Sequence, residues 1–214
     1  GTIPTELGLL KKMDYFDLGA NELNGTIPWL DIPLVTVYYA DTNRLTGTVP
    51  TAFGTMEYMT LLAVCVNSLT GTVPSELGAL SQLSVLNLYD NQFTGSIPTT
   101  FDALTNLRIF NVAHNLLTGP ADSMILSNSI IYFYMSINYF TGPLPFEQLC
   151  KSDSLLTVLF ADNYLTGAIS SCVSNWSVVN TIDFSRNELE GSVPTEFSSL
   201  VTLETLILGS NQLI

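Results

Sequence analysis

An asparagine recurs along this chain at a nearly constant interval: Asn21, Asn43, Asn67, Asn91, Asn115, Asn138, Asn163, Asn187 and Asn211, in steps of 22, 24, 24, 24, 23, 25, 24 and 24 residues. Most of them head the same frame, with an apolar residue two on, Gly four on, a second apolar residue six on and Pro seven on. NELNGTIP at Asn21, NRLTGTVP at Asn43 and NQFTGSIP at Asn91 are examples, and Asn115 and Asn211 carry partial copies. A fixed period in this range is the mark of a stacked solenoid in which each repeat is one coil.

Each position of the coil has a physical job. In the copy around Asn91, Leu86 and Leu88 alternate with Val85, Asn87 and Tyr89, so a short strand turns its leucines inward and the others outward. Stacking then pairs each strand with its neighbour in parallel, because an isolated repeat cannot bury its own inner face. The asparagines sit where the chain leaves the strand. An amide offers both a donor and an acceptor to the backbone of a buried turn, each bond worth roughly 1 kcal/mol net, so the nine are expected to form a structural ladder. Gly95 supplies a backbone conformation closed to other residues, and Pro98 opens the return segment. Phe101, Leu104 and Leu107 then lead the chain back to the core as a short helical or 3-10 turn.

The frame absorbs nearly all of the 214 residues, so residues 1–214 are read as a single domain of about nine 24-residue coils. Gly1-Thr2-Ile3-Pro4 repeats Gly25-Thr26-Ile27-Pro28, and the other end stops within the copy headed by Asn211, so the expectation is a fragment lacking both polar caps. Apolar content of 47% suffices for a continuous core, while 19 acids against 6 bases give a net charge of −13 and disfavour nucleic acid as a partner. No run of 18 apolar residues marks a membrane span in this fragment, although a longer parent chain can carry one.

Three coils depart from the template. After Pro28 two residues are missing; Trp29 and Pro33 are expected to fill the shortened return, with the core frame recovering at Val35, Tyr38 and Ala40. After Asn115 the proline falls at position 120 and Ala121 takes the large apolar position, so a distorted return is expected there. The Asn138 coil gains one residue around Phe146 to Cys150.

Cys150 and Cys172 fall on the return segments of successive coils, 22 residues apart, which is about one coil. Stacking brings them to neighbouring positions, so a disulfide is geometrically reasonable and implies an oxidising compartment. The plain alternative is two small buried apolar residues. Cys65, two residues before Asn67 on the outward face of its strand, is expected to be a free thiol near the concave surface.

The unit resembles the plant-type leucine-rich repeat, L-x-x-L-x-L-x-x-N-x-L-x-G-x-I-P-x-x-L-x-x-L, over essentially the whole chain. The segment LPFEQLCKSDSLLTVLFADNYLTGAISSCVSN also resembles plant receptor-like proteins, which often carry Leu-Cys in one repeat and a Cys after the I-P position of the next. The resemblance implies an α/β repeat solenoid, a right-handed leucine-rich-repeat superhelix with a parallel concave β-sheet and short helical or 3-10 convex segments. It further implies an extracellular or cell-surface recognition domain, of the kind found in receptor kinase ectodomains, receptor-like proteins and polygalacturonase-inhibiting proteins. The lumen of a secretory or other membrane-bound compartment is the alternative location. Two departures stand out: the family's usual cysteine-bearing cap does not precede the first repeat, and Ser170 replaces proline.

Outward positions six and four before each asparagine line the inner face of such an arc. The ligand-binding candidates on it are Tyr15, Asp17, Tyr39, Asn87, Tyr89, Asn111, Tyr132, Tyr134 and Asp183. Exposed aromatic patches mark contact surfaces; the plain alternative is strand formers packing side by side. No enzymatic activity, cofactor or metal is expected. The single histidine, His114, has no nucleophile motif near it and reads as a solvated turn residue, and neither a calcium loop nor a Gly-rich phosphate loop is present. Two sequons make Asn24 and Asn175 glycosylation candidates, on turn and return segments.

The leading reading is a recognition module that binds a protein, peptide or glycan ligand on its concave face. One alternative is a structural scaffold packed permanently against a partner chain. The other is an ice-binding surface built from Thr46, Thr70, Thr94, Thr118, Thr141 and Thr166 beside Thr26, Thr48, Thr72 and Ser96, as a grid at about the 4.8 Å strand spacing.

Overall fold

Alternation of inward and outward residues yields one three-residue strand ahead of each asparagine in the computed structural model, which describes residues 1–124 and 127–214. These strands are β1 (Tyr15–Asp17), β3 (Val37–Tyr39), β5 (Leu61–Ala63), β7 (Val85–Asn87), β9 (Ile109–Asn111), β11 (Tyr132–Tyr134), β13 (Thr157–Leu159), β15 (Thr181–Asp183) and β17 (Thr205–Ile207). They pair in chain order as a parallel nine-stranded sheet with equivalent positions opposite one another, as in Phe16 with Tyr38 and Phe110 with Phe133.

A second parallel sheet follows the asparagines, where the sequence had been read as turn. Its strands are β2 (Asn24–Thr26), β4 (Arg44–Gly47), β6 (Ser68–Thr72), β8 (Gln92–Gly95), β10 (Leu116–Pro120), β12 (Tyr139–Pro143), β14 (Tyr164–Ala168), β16 (Glu188–Gly191) and β18 (Gln212–Leu213). Here the register slips by two residues per coil, so that Gly25 lies opposite Leu45 and Thr72 opposite Thr94.

The asparagines join the two sheets by reaching back to the preceding coil. Asn91 accepts from the Leu69 backbone N–H at 2.9 Å and donates to the Val64 carbonyl at 3.1 Å, as well as to its own Leu88 and Tyr89 carbonyls. Asn115, Asn138, Asn163 and Asn187 repeat the pattern, and all five are buried. Asn21 heads the first coil, and its side chain bonds only within it, to the Leu18 and Gly19 carbonyls. The residue before each asparagine is left-handed whatever its identity: Ala20, Thr42, Val66, Asp90, His114, Ile137, Asp162, Arg186 and Ser210 all have φ between 52° and 59°. Gly95, at φ 74°, takes the left-handed conformation that its place in the frame requires.

Return segments are short 3-10 turns such as Thr51–Thr55, Ser75–Ala79 and Thr99–Ala103, each entered from an extended proline. Ser170 stands in for proline by accepting the Cys172 N–H on its hydroxyl at 3.2 Å. Neighbouring turns approach so closely that a Cβ at Gly78 would lie 2.5 Å from the Thr100 carbonyl oxygen. The extra residue of the Asn138 coil is absorbed by a single α-helical turn, α1 (Phe146–Leu149). After Asn115 the return shrinks to Ala121–Ser123, with Ala121 buried; the distorted return expected here also covers residues 125–126, which lie outside the described residues. In the shortened coil Leu30 and Ile32 fill the core, whereas Trp29 is 45% exposed and Pro33 is exposed too. Trp29 takes the outward place directly after the proline that Thr51, Ser75 and Thr99 hold in the full-length coils.

Aromatic residues run through the interior. Phe16 stacks on Tyr38 at 4.6 Å, Phe133 meets Phe160 edge-on at 4.7 Å, and Phe160 continues to Phe184. Such pairs are worth about 0.5–1.5 kcal/mol beyond their buried area. The Tyr38 hydroxyl is buried without a hydrogen-bond partner, the one such side-chain atom among the described residues.

Two outcomes are expected. Asn91→Ala strands the Leu69 N–H and costs about 1–3 kcal/mol, whereas Asn87→Ala loses only a 3.2 Å bond to the Tyr89 N–H; urea midpoints of the two variants should separate accordingly. Tyr38→Phe removes an unpaired buried hydroxyl and should raise stability by about 1 kcal/mol. Burial also lifts the Tyr38 phenol well above its ordinary value of 10.0, so its contribution is intact below about pH 10 and declines as pH rises from there towards the folded value. Thermal melts of Tyr38→Phe should therefore fall less than wild type above that pH.

Candidate functional site

The outward residues of the first sheet form two aromatic patches rather than one. At the N-terminal end, Tyr15 is 57% exposed and its ring lies 6.3 Å from that of Tyr39 on the next coil. Burial, then the neighbouring Tyr15, Asp17 and Asp41, raises the Tyr39 phenol above its ordinary value. Four coils further on, roughly 19 Å at the strand spacing, Tyr132 and Tyr134 stack at 6.2 Å within β11. Burial and then Tyr132 raise the Tyr134 phenol. Asn111 and Leu159 flank Tyr134 on the adjoining strands. Tyr89 joins neither patch, since it lies beyond β7 with its ring 6.0 Å from His114.

The polar candidates at the strand ends are engaged with their own backbone. Asp17 accepts from the Gly19 N–H at 2.9 Å, Asn87 from Tyr89 and Asn111 from Ala113. Asp183 accepts both the N–H and the hydroxyl of Ser185. These side chains close the turn off the strand, a role the outward positions alone did not disclose.

A flank went unread in the sequence. The residues just before and after the asparagines present Leu116, Ile137, Tyr139 and Tyr164, each 42–48% exposed, with the two tyrosines stacked at 6.1 Å. Leu116, Ile137 and Tyr139 border a shallow cleft of about 290 Å³ lined also by Asn91, His114, Asn115, Asn138 and Asp162. His114 is exposed, its Nδ1 2.6 Å from Asp90 Oδ1, and Arg186 grips Asp162 with two bonds. The signal was available as apolar residues one place either side of the repeating asparagine.

The threonine columns do reach the surface of the second sheet, Thr46, Thr70, Thr94, Thr118 and Thr141 being exposed. The slipped register breaks the expected grid: Thr26 faces Thr46 and Thr72 faces Thr94, but Thr118 faces Tyr139 and Thr166 faces Glu188. Of the sequons, Asn24 is exposed in strand β2 rather than in a turn. Asn175 is exposed on a return turn and donates to the Cys150 carbonyl at 3.1 Å. Among the described residues no group of His, Cys, Asp and Glu could hold a metal ion, and no helix is long and apolar enough to cross a membrane.

Cys150 and Cys172 are disulfide-bonded, with Cα atoms 5.7 Å apart, and Cys65 is free. Burial, then the fields of Asp41 and Asp90, pushes the Cys65 thiol up to about 11.

Models of the leucine-rich repeat match residues 57–117 and 179–200. The chain carries leucine-rich repeats. Receptor-like protein 32 of Arabidopsis thaliana is 34% identical to it over 90 residues, which cover 42% of this chain and 10% of that one. The solved PEPR1–AtPEP1 complex is similar with a TM-score of 0.88 and 28% identity, covering 99% of this chain and 34% of the other. The plant peptide hormone receptor RGFR1, solved with RGF2, gives 0.75 and 25%, covering 99% and 42%. This chain thus spans a tenth of the curated relative and less than half of each of these two solved chains.

Alkylation in denaturant without reductant should modify one cysteine, and three after reduction, as read by intact mass. Native Cys65 should react slowly at pH 8, because so little of it is thiolate.

Proposed function

We propose that this chain is a non-catalytic recognition segment of an extracellular, receptor-type leucine-rich-repeat protein, and that its first sheet binds a peptide or protein ligand. The observation that carries the reading is the half-buried, outward-facing ring pair Tyr132–Tyr134 on a sheet whose equivalent positions lie in straight columns. Rings of this kind join apolar area to a hydroxyl and anchor interfaces. The disulfide suits an oxidising exterior. The relatives support the same class of role, since RGFR1 is described as a peptide hormone receptor.

A displayed library of random peptides, selected on the immobilised chain, tests the reading. Tyr134→Ala should weaken the selected ligand by more than about tenfold, 1.4 kcal/mol, with an unchanged melting temperature. Ligands indifferent to Tyr132→Ala and Tyr134→Ala together, but lost when Tyr139 and Tyr164 are truncated, would move the working surface to the flank.

A further inference from the structure

The two ends of the first sheet differ in how their acids are satisfied. Towards the C-terminal end Asp162 is held by the Arg186 guanidinium, whereas at the N-terminal end, among the described residues, Asp17 accepts only the Gly19 N–H and Asp41 only the Thr42 hydroxyl, at 3.1 Å on Oδ2. At the N-terminal end Asp17 and Asp41 converge across Gly19, where a Cβ would lie 3.2 Å from Asp17 Oδ1 and 2.8 Å from Asp41 Oδ1. The five ion pairs among the described residues all involve other acids. Asp17 is exposed and Asp41 half-buried, and beside them stand the rings of Tyr15 and Tyr39, tilted 51° to each other. Two carboxylates without a cation thus share a surface with two π faces, in a chain of net charge −13.

A guanidinium is the group this surface complements. It is planar, forks onto carboxylate oxygens and stacks on an aromatic face, whereas an ammonium is a compact, strongly hydrated point charge. Resting on the reading of the first sheet as the ligand face, we infer that the surface formed by Tyr15, Asp17, Tyr39 and Asp41 seats an arginine side chain of the peptide or protein ligand. The ligand then runs across the coils from this seat towards Tyr132 and Tyr134, with its basic end over β1 and β3.

Calorimetric titration with hexa-arginine amide, and with hexalysine amide for comparison, tests this on the full chain. Asp17→Asn with Asp41→Asn keeps the amide acceptor for the Gly19 N–H and should weaken hexa-arginine roughly tenfold, and Tyr15→Ala roughly fivefold. The convex pair Glu57→Gln with Asp102→Asn removes the same charge and should cost less than about twofold. Hexalysine should bind more weakly than hexa-arginine and be insensitive to Tyr15→Ala. Equal losses for the two charge pairs, or no loss with Tyr15→Ala, would overturn the seat and leave only attraction to the whole chain's field. A library-selected ligand lost with Tyr134→Ala but unaffected by Asp17→Asn with Asp41→Asn would also overturn it, while leaving the first sheet as the ligand face.

Discussion

The structure depends on an amide side chain that bonds the backbone of the coil before it. Every coil must turn sharply off its strand at the edge of the core, and the turn leaves N–H and C=O groups away from water. In the interior coils the asparagine answers both needs at once, accepting from the residue two beyond the previous asparagine and donating to the carbonyl three before it. Local strain is tolerated for this. Thr42, Val66 and Ile137 are β-branched and left-handed, a conformation costing such residues about 1–3 kcal/mol, and the inter-coil bonds offset it at every step.

That linkage sets the character of the two surfaces it separates. On the first sheet equivalent positions fall into straight columns, so residues spaced one coil apart act together on a ligand crossing the strands. On the second sheet the two-residue slip sets unlike residues side by side, such as Thr118 beside Tyr139. A repeated residue type therefore builds a continuous patch on the first surface and an interrupted one on the second.

Self-satisfaction narrows the first surface further. Asp17, Asn87, Asn111 and Asp183 each spend an oxygen on the turn that follows their strand. What remains for a partner is chiefly the rings of Tyr15, Tyr39, Tyr132 and Tyr134 and the second oxygen of Asp41, whose Oδ2 accepts the Thr42 hydroxyl. The disulfide lies on the return side, where it ties two coils together without occupying either sheet face, contributing about 3 kcal/mol in the chain-entropy model.

The period of the asparagines and the alternation of leucines were enough to determine the first sheet and the inward residues, because each follows from spacing along one repeat; the spacing of Cys150 and Cys172 made their bond reasonable without deciding it against two buried thiols. The second sheet was not legible: its strands are read as N-x-L-T-G, a turn composition by residue type, and become strands only because neighbouring coils supply their backbone partners. The left-handed residue before each asparagine carries no signature either, since nine positions hold eight residue types and the conformation is imposed by the ladder bond that follows. Which tyrosines meet, and which acids are left without a cation, was likewise a matter of tertiary structure, because register between coils is a property of the stack and not of any repeat within it.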